Sequence, residues 1–237
     1  MTNQEFSDEF DVLLSSFTKS ANFGEQASSH DIVLDEYEKS VFLSKAQEEI
    51  VINLYNGKNV FGESFEKTEE LRRYLSDIVE TVTLSTKIIG LTGLTSTSVF
   101  YMLPVDLWFI TYESVLLTDS NLGCLNNTRA VVIPVTQDQF YKINRNPFRG
   151  PSLRKVLRLD TENDVVELVS NYNIASYLIR YIRRPVPIVL EGLPTELSLN
   201  NTTAATECEL SPALHRIILD RAVQLAIGSK FSNIKTN

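Results

Sequence analysis

The sequence predicts an α+β fold, in which helices from both chain ends flank a mainly antiparallel β-sheet or sandwich. Apolar residues recur at helical spacing in the first third of the chain and again near its end, whereas the middle is rich in aromatic and β-branched residues. Short connections between consecutive predicted strands favour antiparallel pairing. We therefore expect an N-terminal arm (1–30), a helical domain (31–81 with 208–237) and a β-rich domain (82–207).

The first predicted helix has an aromatic face. Its apolar residues at helical spacing are Phe6, Phe10, Leu13, Leu14 and Phe17. Ser7, Asp8 and Glu9 are typical of a first turn, because acidic groups there face the positive end of the helix dipole. A polar linker at 19–31 follows. Two interpretations are open: the phenylalanines pack in the core of their own subunit, or the helix is an arm that docks on a neighbouring subunit.

The clearest helical pattern covers residues 34–55. Asp35 is its predicted N-cap, Glu38 completes a capping box, and Gly57 is expected to end the helix in the left-handed conformation. A second helix is predicted at about 64–81. Because the loop between the two is short, we expect these helices to pair antiparallel.

From residue 82 onward the composition becomes that of β-structure. The predicted strands are 98–104, 129–135, 155–160, 165–170 and 174–183. The segment 106–117 is also strand-like in composition, but its apolar residues fit neither period cleanly, so a partly helical structure stays open.

Two further helices are predicted from their end signals. Thr136 is the expected N-cap of a short helix that the block 146–151, Asn-Pro-Phe-Arg-Gly-Pro, brings to an end. Ser211 is the expected N-cap of a last helix that begins at Pro212, and Gly228 is its expected C-cap. The helices of the two chain ends can pack together, which makes the sheet a large insertion between them.

Composition argues against several classes of protein. The formal net charge of −8 disfavours a surface that grips nucleic acid, although an acidic wall lets DNA slide past. Two cysteines, Cys124 and Cys208, are no disulfide framework and are expected to be free thiols. The N-terminus has no signal-peptide pattern, and no apolar run is long enough to span a bilayer. We expect a protein that stays in a cytoplasm or in a particle assembled there.

No catalytic, cofactor-binding or metal-binding motif is found in the sequence, and we predict that the protein is not an enzyme. The two histidines, His30 and His215, are far apart, and the cysteines do not complete a zinc pattern with them. The segment 90–94, Gly-Leu-Thr-Gly-Leu, lacks the lysine of a phosphate-binding loop and is interpreted as a turn between strands. Adjacent carboxylates on the predicted helices diverge and do not face one site.

A cluster of basic residues occurs in the second half of the chain. It consists of Arg180, Arg183 and Arg184 at the end of the last predicted strand, with Arg149, Arg154 and Lys155 upstream. One interpretation is that charge protects an edge strand from unwanted pairing. The other is an interface with an acidic neighbour or with a nucleic-acid backbone, and the acidic total favours a protein partner.

Four blocks, in order, carry a resemblance to a known family: 34–51, 146–151, 181–190 and 214–225. As a set they resemble virion structural proteins of the crAss-like bacteriophages of gut Bacteroidales, in particular the neck or tail ring proteins that sit beneath the portal. The arrangement is also similar to the head–tail adaptors of short-tailed phages. In those adaptors a helical part with both chain ends meets a β-rich part, and about a dozen copies form a ring.

The resemblance implies a mechanical function without a cofactor. A homo-oligomeric ring of about twelve copies would join capsid to tail within the virion. The ring would contact the portal and adjacent tail or ring proteins, and genomic DNA would pass through it without sequence-specific binding. No membrane contact is expected. The predicted contact residues are Phe6, Phe10, Phe17, Arg180, Arg183, Arg184, Leu214, Ile218 and Leu225. The alternatives are another virion component, such as a capsid-decorating protein, and an unrecognised hydrolase that uses scattered carboxylates.

Overall fold

The chain divides into two compact units, and the second is an insertion in the first. The helical unit comprises Met1–Ile78 and Pro185–Asn237, and the sheet unit comprises Val79–Arg184. The computed structural model describes residues 1–21, 33–58, 65, 67–194 and 196–232. In the structure the segment that follows Arg184 belongs to the helical unit, whereas the sequence prediction had assigned residues up to 207 to the β-rich part.

The structure has helices toward both chain ends and a seven-stranded, curled sheet between them, so the α+β prediction is confirmed. The helices in the described residues are α1 (Asn3–Ala21), α2 (Glu36–Asn56), α3 (Glu69–Tyr74), α4 (Gln137–Asn144) and α5 (Pro212–Ser232). The strands are β1 (Val79–Leu84), β2 (Ser98–Met102), β3 (Leu107–Leu117), β4 (Thr128–Pro134), β5 (Lys155–Asp160), β6 (Val165–Val169) and β7 (Ile174–Arg183).

Helix α2 has the predicted end signals. The Asp35 side chain accepts a hydrogen bond from the Glu38 N–H at 2.7 Å, and Gly57 ends the helix with a φ of 76°. Among the described residues the main packing partner of α2 is α5 and not the next helix, so the expected antiparallel pairing is not seen there. Most of the loop that suggested this pairing lies outside the described residues.

An extended segment after β7 packs along α2. Two small buried serines of α2 hold its backbone: the Ser44 hydroxyl donates to the Ile188 carbonyl at 3.1 Å, and the Leu190 N–H donates to the Ser40 hydroxyl at 3.0 Å. Ile188 and Val189 are fully buried there. Because these backbone groups have partners, an irregular segment can lie in the core of the helical unit without leaving buried polar atoms unpaired.

Three predicted helix boundaries were wrong. The helix expected at 64–81 is only six residues long: it begins after the N-cap Thr68, and the chain has entered β1 by Val79. In addition, α1 begins at Asn3, so Ser7, Asp8 and Glu9 lie inside it, and α5 continues through Gly228 to Ser232. The first error has a tertiary cause, since residues 79–84 pair in register with β7, and this pairing overrides a local helical pattern.

The sheet order is β1-β7-β3-β4-β5-β6-β2. All neighbours are antiparallel except β4 and β5, which are parallel and joined by α4. The segment 106–117 forms a strand along its whole described length from Leu107, with three register shifts against β7. These irregularities explain why its apolar residues fitted no single period.

The sheet has apolar side chains on both faces, because residues alternate along each strand. Val156 points to an inner face, where it joins a large core with Tyr101 and Tyr177. Leu157 and Leu159 point to the opposite face, where α4 covers them through Phe140. Thr136 is the N-cap position of α4 as predicted, although its side chain makes no capping hydrogen bond.

Candidate interaction surfaces

The arginine-bearing strand β7 is not at the edge of the sheet. It lies between β1 and β3, so the interpretation that its charges protect an edge is wrong. Arg180 is exposed on the face opposite the inner core, next to Tyr112 of β3 in the strand register. Its Nε is 3.3 Å from the Thr81 hydroxyl oxygen. Arg180 therefore presents a positive charge on a broad sheet surface and not along a strand edge.

Arg183 and Arg184 have partners within the sheet unit. The Arg183 Nε lies 3.1 Å from a carboxylate oxygen of Glu80. Arg184 lies just beyond the end of β7, where its guanidinium stacks on the Trp108 ring at 5.7 Å from the centroid. The structure thus keeps Arg183 half-buried in an ion pair and leaves Arg184 exposed beside an aromatic side chain.

The aromatic face of α1 belongs to the core of the helical unit. Phe6 and Phe10 are completely buried, Leu14 is 2% exposed, and Phe17 is 48% exposed. Phe6 and Phe10 therefore pack within their own chain, where they are unavailable as anchors on a neighbouring subunit. This corrects the interpretation of the whole helix as a docking arm and leaves Phe17 as its accessible aromatic side chain.

A buried lysine ties α1 to α2. Lys39 is 3% exposed, and its Nζ lies 2.8 Å from Asp11, 2.9 Å from Glu36 and 3.0 Å from the Ser7 hydroxyl. Burial disfavours the ammonium form, but hydrogen bonds and charges from Asp11 and Glu36 outweigh that cost and raise the pKa of Lys39. The first helix is therefore held by a specific ionic contact in addition to its phenylalanines.

The predicted contact residues of α5 differ in exposure. Ile218 is completely buried in the helical unit, and Leu225 is half-buried. Leu214 is 2% exposed and lines a groove of about 320 Å³ between α2 and α5. At this groove the Arg221 guanidinium donates two hydrogen bonds to the Glu49 carboxylate, at 2.7 and 2.9 Å. Ile218 is thus a core residue and not a contact residue.

A second groove lies between α1 and α5 and has an acidic lining. We call it the acidic groove; its volume is about 520 Å³, and it is lined by Asp8, Glu9, Val12, Leu13, Arg216, Leu219 and Asp220. Three carboxylates and one guanidinium surround an apolar floor. Val12 is 67% exposed, so this floor is open to a partner.

The Asn-Pro-Phe-Arg-Gly-Pro corner forms an exposed basic surface in the sheet unit. We call residues 142–155 the basic knob; they include five lysines and arginines and no acidic residue. Phe148 at its tip is 90% exposed. From sequence, the block 146–151 was predicted to end a helix and belonged to the family resemblance, and Arg149, Arg154 and Lys155 were assigned to a basic cluster. The signal that could have identified it was an aromatic residue between proline and arginine in a stretch without acids.

A buried ionic cluster lies on the inner face of the sheet. The Tyr177 hydroxyl donates to the Glu113 carboxylate at 2.6 Å, and Arg158 donates to the other oxygen of that carboxylate. Burial raises the pKa of Glu113, and the contacts with Tyr177 and Arg158 partly oppose this rise. The cluster satisfies charges inside a core, and no sequence pattern distinguished these residues from surface charges.

The remaining candidates for chemistry do not form a reactive site in the part of the chain that the structure describes. His215 is buried, its Nε2 lies 2.9 Å from the Leu210 carbonyl oxygen, and burial lowers its pKa. His30 lies outside the described residues. Cys124 and Cys208 are free, as predicted, and burial raises the pKa of the Cys208 thiol to about 11.

The described residues contain no group of three or more potential metal ligands. None of the helices in these ranges has the length and apolarity needed to cross a membrane.

The whole chain, residues 1–237, matches the family model described as phage tail ring protein 3/4. The chain belongs to this family. This chain is 54% identical to Ring protein 3 of Bacteroides phage crAss001 over 231 residues, which cover 97% of this chain and 96% of that protein. It is 34% identical to Ring protein 4/5 of the same phage, over 95% of this chain and 92% of that protein. The predicted resemblance to crAss-like phage ring proteins is therefore confirmed.

Membership of the ring-protein family makes this chain a ring protein of a crAss-like phage virion and its tail. A ring protein assembles with further virion proteins, so oligomerisation is part of its function. The relatives are named as ring proteins, which implies a structural role.

Proposed function

We propose that this chain forms one ring of the head–tail connector beneath the portal, where it joins the capsid to the tail and surrounds the DNA channel. The observation that carries the proposal is the match of the whole chain to the ring-protein family, together with 54% identity to Ring protein 3. A connector at this position needs subunits that associate with their own copies and with proteins above and below. Its task is mechanical and requires no active site.

The proposed ring has about twelve copies and contacts the portal and adjacent tail or ring proteins. Closed rings arise from heterologous contacts, in which two different surfaces of the same chain meet. The helical unit and the sheet unit carry surfaces of opposite charge, the acidic groove and the basic knob, which supports such a contact. A net charge of −8 suits a wall past which DNA moves without sequence-specific binding.

The contact residues proposed here are the accessible members of the predicted set. Phe17, Arg180 and Arg184 are exposed, and Leu225 is half-buried. Leu214 contributes through the groove that it lines. Arg183 is committed to Glu80, so its contribution to a neighbouring protein is through the net charge of that surface.

Cryo-electron microscopy of the intact virion tests this function directly. The expected result is a ring of this chain between the portal and the tail, with the DNA path through its centre. Density for the chain on the capsid exterior or only at the distal tail would refute the connector position. A purified chain that stays monomeric with and without the portal protein of the same phage would argue against the ring itself.

A further inference from the structure

The basic knob has the properties of a binding anchor. Phe148 is 90% exposed, and exposed Lys142, Arg145, Arg149 and Arg154 surround it in sequence. Among the described residues none of these four cations takes part in a side-chain ion pair. An exposed aromatic side chain among unpaired cations has both apolar area and charge available to a partner.

The backbone of the knob is held in place before any partner binds. The Asn146 side-chain oxygen accepts hydrogen bonds from the Phe148 N–H at 2.9 Å and from the Arg149 N–H at 3.3 Å. The Gly150 N–H donates to the Asn146 carbonyl at 2.7 Å, and the Lys155 ammonium donates to the Phe148 carbonyl at 3.2 Å. Because the turn is already ordered, docking Phe148 costs little conformational entropy.

The acidic groove has complementary properties. Its carboxylates, Asp8, Glu9 and Asp220, surround an apolar floor of Val12, Leu13 and Leu219, and its volume of about 520 Å³ accommodates an aromatic ring. Arg216 is its single cation, so the lining is net negative. The groove at Leu214 is a poorer match for a basic partner, because its one carboxylate, Glu49, is already paired with Arg221.

We propose that the basic knob of one subunit docks in the acidic groove of the next copy in the ring, with Phe148 on the apolar floor and Arg149 near Asp220. The inference rests on the proposed ring function and names the contact that builds the ring. The two surfaces are different and lie in different units of the chain, as a head-to-tail ring contact requires. Complementary charge sets the register of the two copies, and the aromatic anchor supplies the affinity.

An aromatic side chain at the tip favours a protein groove over a DNA backbone. Contacts to phosphate use cations, polar side chains and backbone N–H groups, and none of these accounts for a phenylalanine with 90% exposure. The experiments below distinguish DNA binding by the knob from docking in the acidic groove.

The first experiment measures subunit association of the full-length chain by mass photometry, alone and with the portal protein of the same phage. Phe148→Ala is expected to weaken association by about tenfold or more. Ile89→Ala is the matched control, because Ile89 is an apolar residue of the sheet unit with 94% exposure outside the knob. Both side chains are exposed, so circular dichroism should show both variants folded.

The second experiment swaps charges across the proposed contact. Arg149→Glu and Asp220→Arg should each weaken association, and combining them in one chain should restore it, because each interface then holds the pair in reverse. Phe148→Cys with Val12→Cys, in a Cys124→Ser, Cys208→Ser background, should give a ladder of disulfide-linked subunits. Either single cysteine variant should give no ladder beyond dimers.

The outcomes separate this contact from the ring function. If wild-type rings form, Phe148→Ala, Arg149→Glu and Asp220→Arg each leave association unchanged, and the cysteine pair gives no ladder, the knob–groove contact is wrong while the ring function stands. If Arg149→Glu lowers affinity for double-stranded DNA but not association, the knob is a DNA contact and the proposal is overturned. If no ring is found in virions or with portal protein, the proposed ring function itself is refuted, whatever the variants show.

Discussion

The burial of Phe10 gives the most direct test of how the first helix is used. Its side chain is completely buried in the helical unit, and replacing a fully buried phenylalanine with alanine costs about 3–5 kcal/mol. Domain stabilities are typically about 5–15 kcal/mol, so Phe10→Ala should remove a large part of the stability of this unit. Phe17→Ala on the same helix is the control. Phe17 is 48% exposed, so about half the burial energy, roughly 1 kcal/mol, should be lost.

Two spectroscopic signals can separate the two units during urea unfolding. Far-UV circular dichroism reports mainly the helical unit, which contains every long helix in the described residues, whereas Trp108, the only tryptophan, reports the sheet unit. Phe10→Ala should lower the midpoint of the dichroism transition by roughly 2 M, for a slope of about 2 kcal/mol per molar urea. If Phe10→Ala abolished assembly but left the dichroism transition unchanged, our placement of α1 in the core would be refuted.

Further predictions concern the buried charges and the glycines. Arg158→Met should lower the free energy of unfolding by about 3–5 kcal/mol, because it leaves the Glu113 carboxylate buried without its cation. Adding Glu113→Gln should recover much of that loss, and strictly additive effects in this double-mutant cycle would show that the two residues are not coupled. Burial lowers the pKa of His215, so the unfolded chain binds more protons than the folded chain and stability should fall as the pH drops below about 6.5. In thermal melts from about pH 7 to 5, the melting temperature of His215→Asn should depend less on pH than that of the wild-type chain. Gly228→Ala should stabilise α5 by up to about 1 kcal/mol, since nothing lies within 4 Å of the added carbon. Gly150→Ala should instead cost about 1–3 kcal/mol, because its Cβ would lie 2.9 Å from two backbone oxygens, and urea midpoints compare the two variants.

Local signals in the sequence were sufficient where the structure is local. The capping box of Asp35 and Glu38 and the left-handed Gly57 follow from contacts over three or four residues, so α2 could be predicted at both ends. The bounds of β7 were also predicted, because Ile174–Arg183 is rich in aromatic and β-branched residues. Family resemblance, carried by blocks spread along the chain, supplied the ring function that these signals alone do not contain.

Features that depend on distant partners could not be predicted from the residues alone. The strand at Val79 follows from its pairing with Ile182, about a hundred positions later in the chain. Glu113 and Arg158 look like surface charges in sequence, and they become a buried pair only once β3 and β5 curl around one core. The exposure of Phe148 has the same origin, since neighbouring residues do not show whether a phenylalanine will find a core.

The insertion of the sheet unit between two parts of the helical unit sets an order of events during synthesis. Residues 79–184 emerge from the ribosome as a complete unit and can fold while α5 is still being made. Helices α1 and α2 emerge earlier, but their packing partner α5 is translated after the sheet unit, so Phe6 and Phe10 lack part of their core until α5 is made. One wall of the acidic groove is α5 itself. A nascent chain without α5 therefore lacks that groove, and the proposed contact becomes available only after α5 has been made.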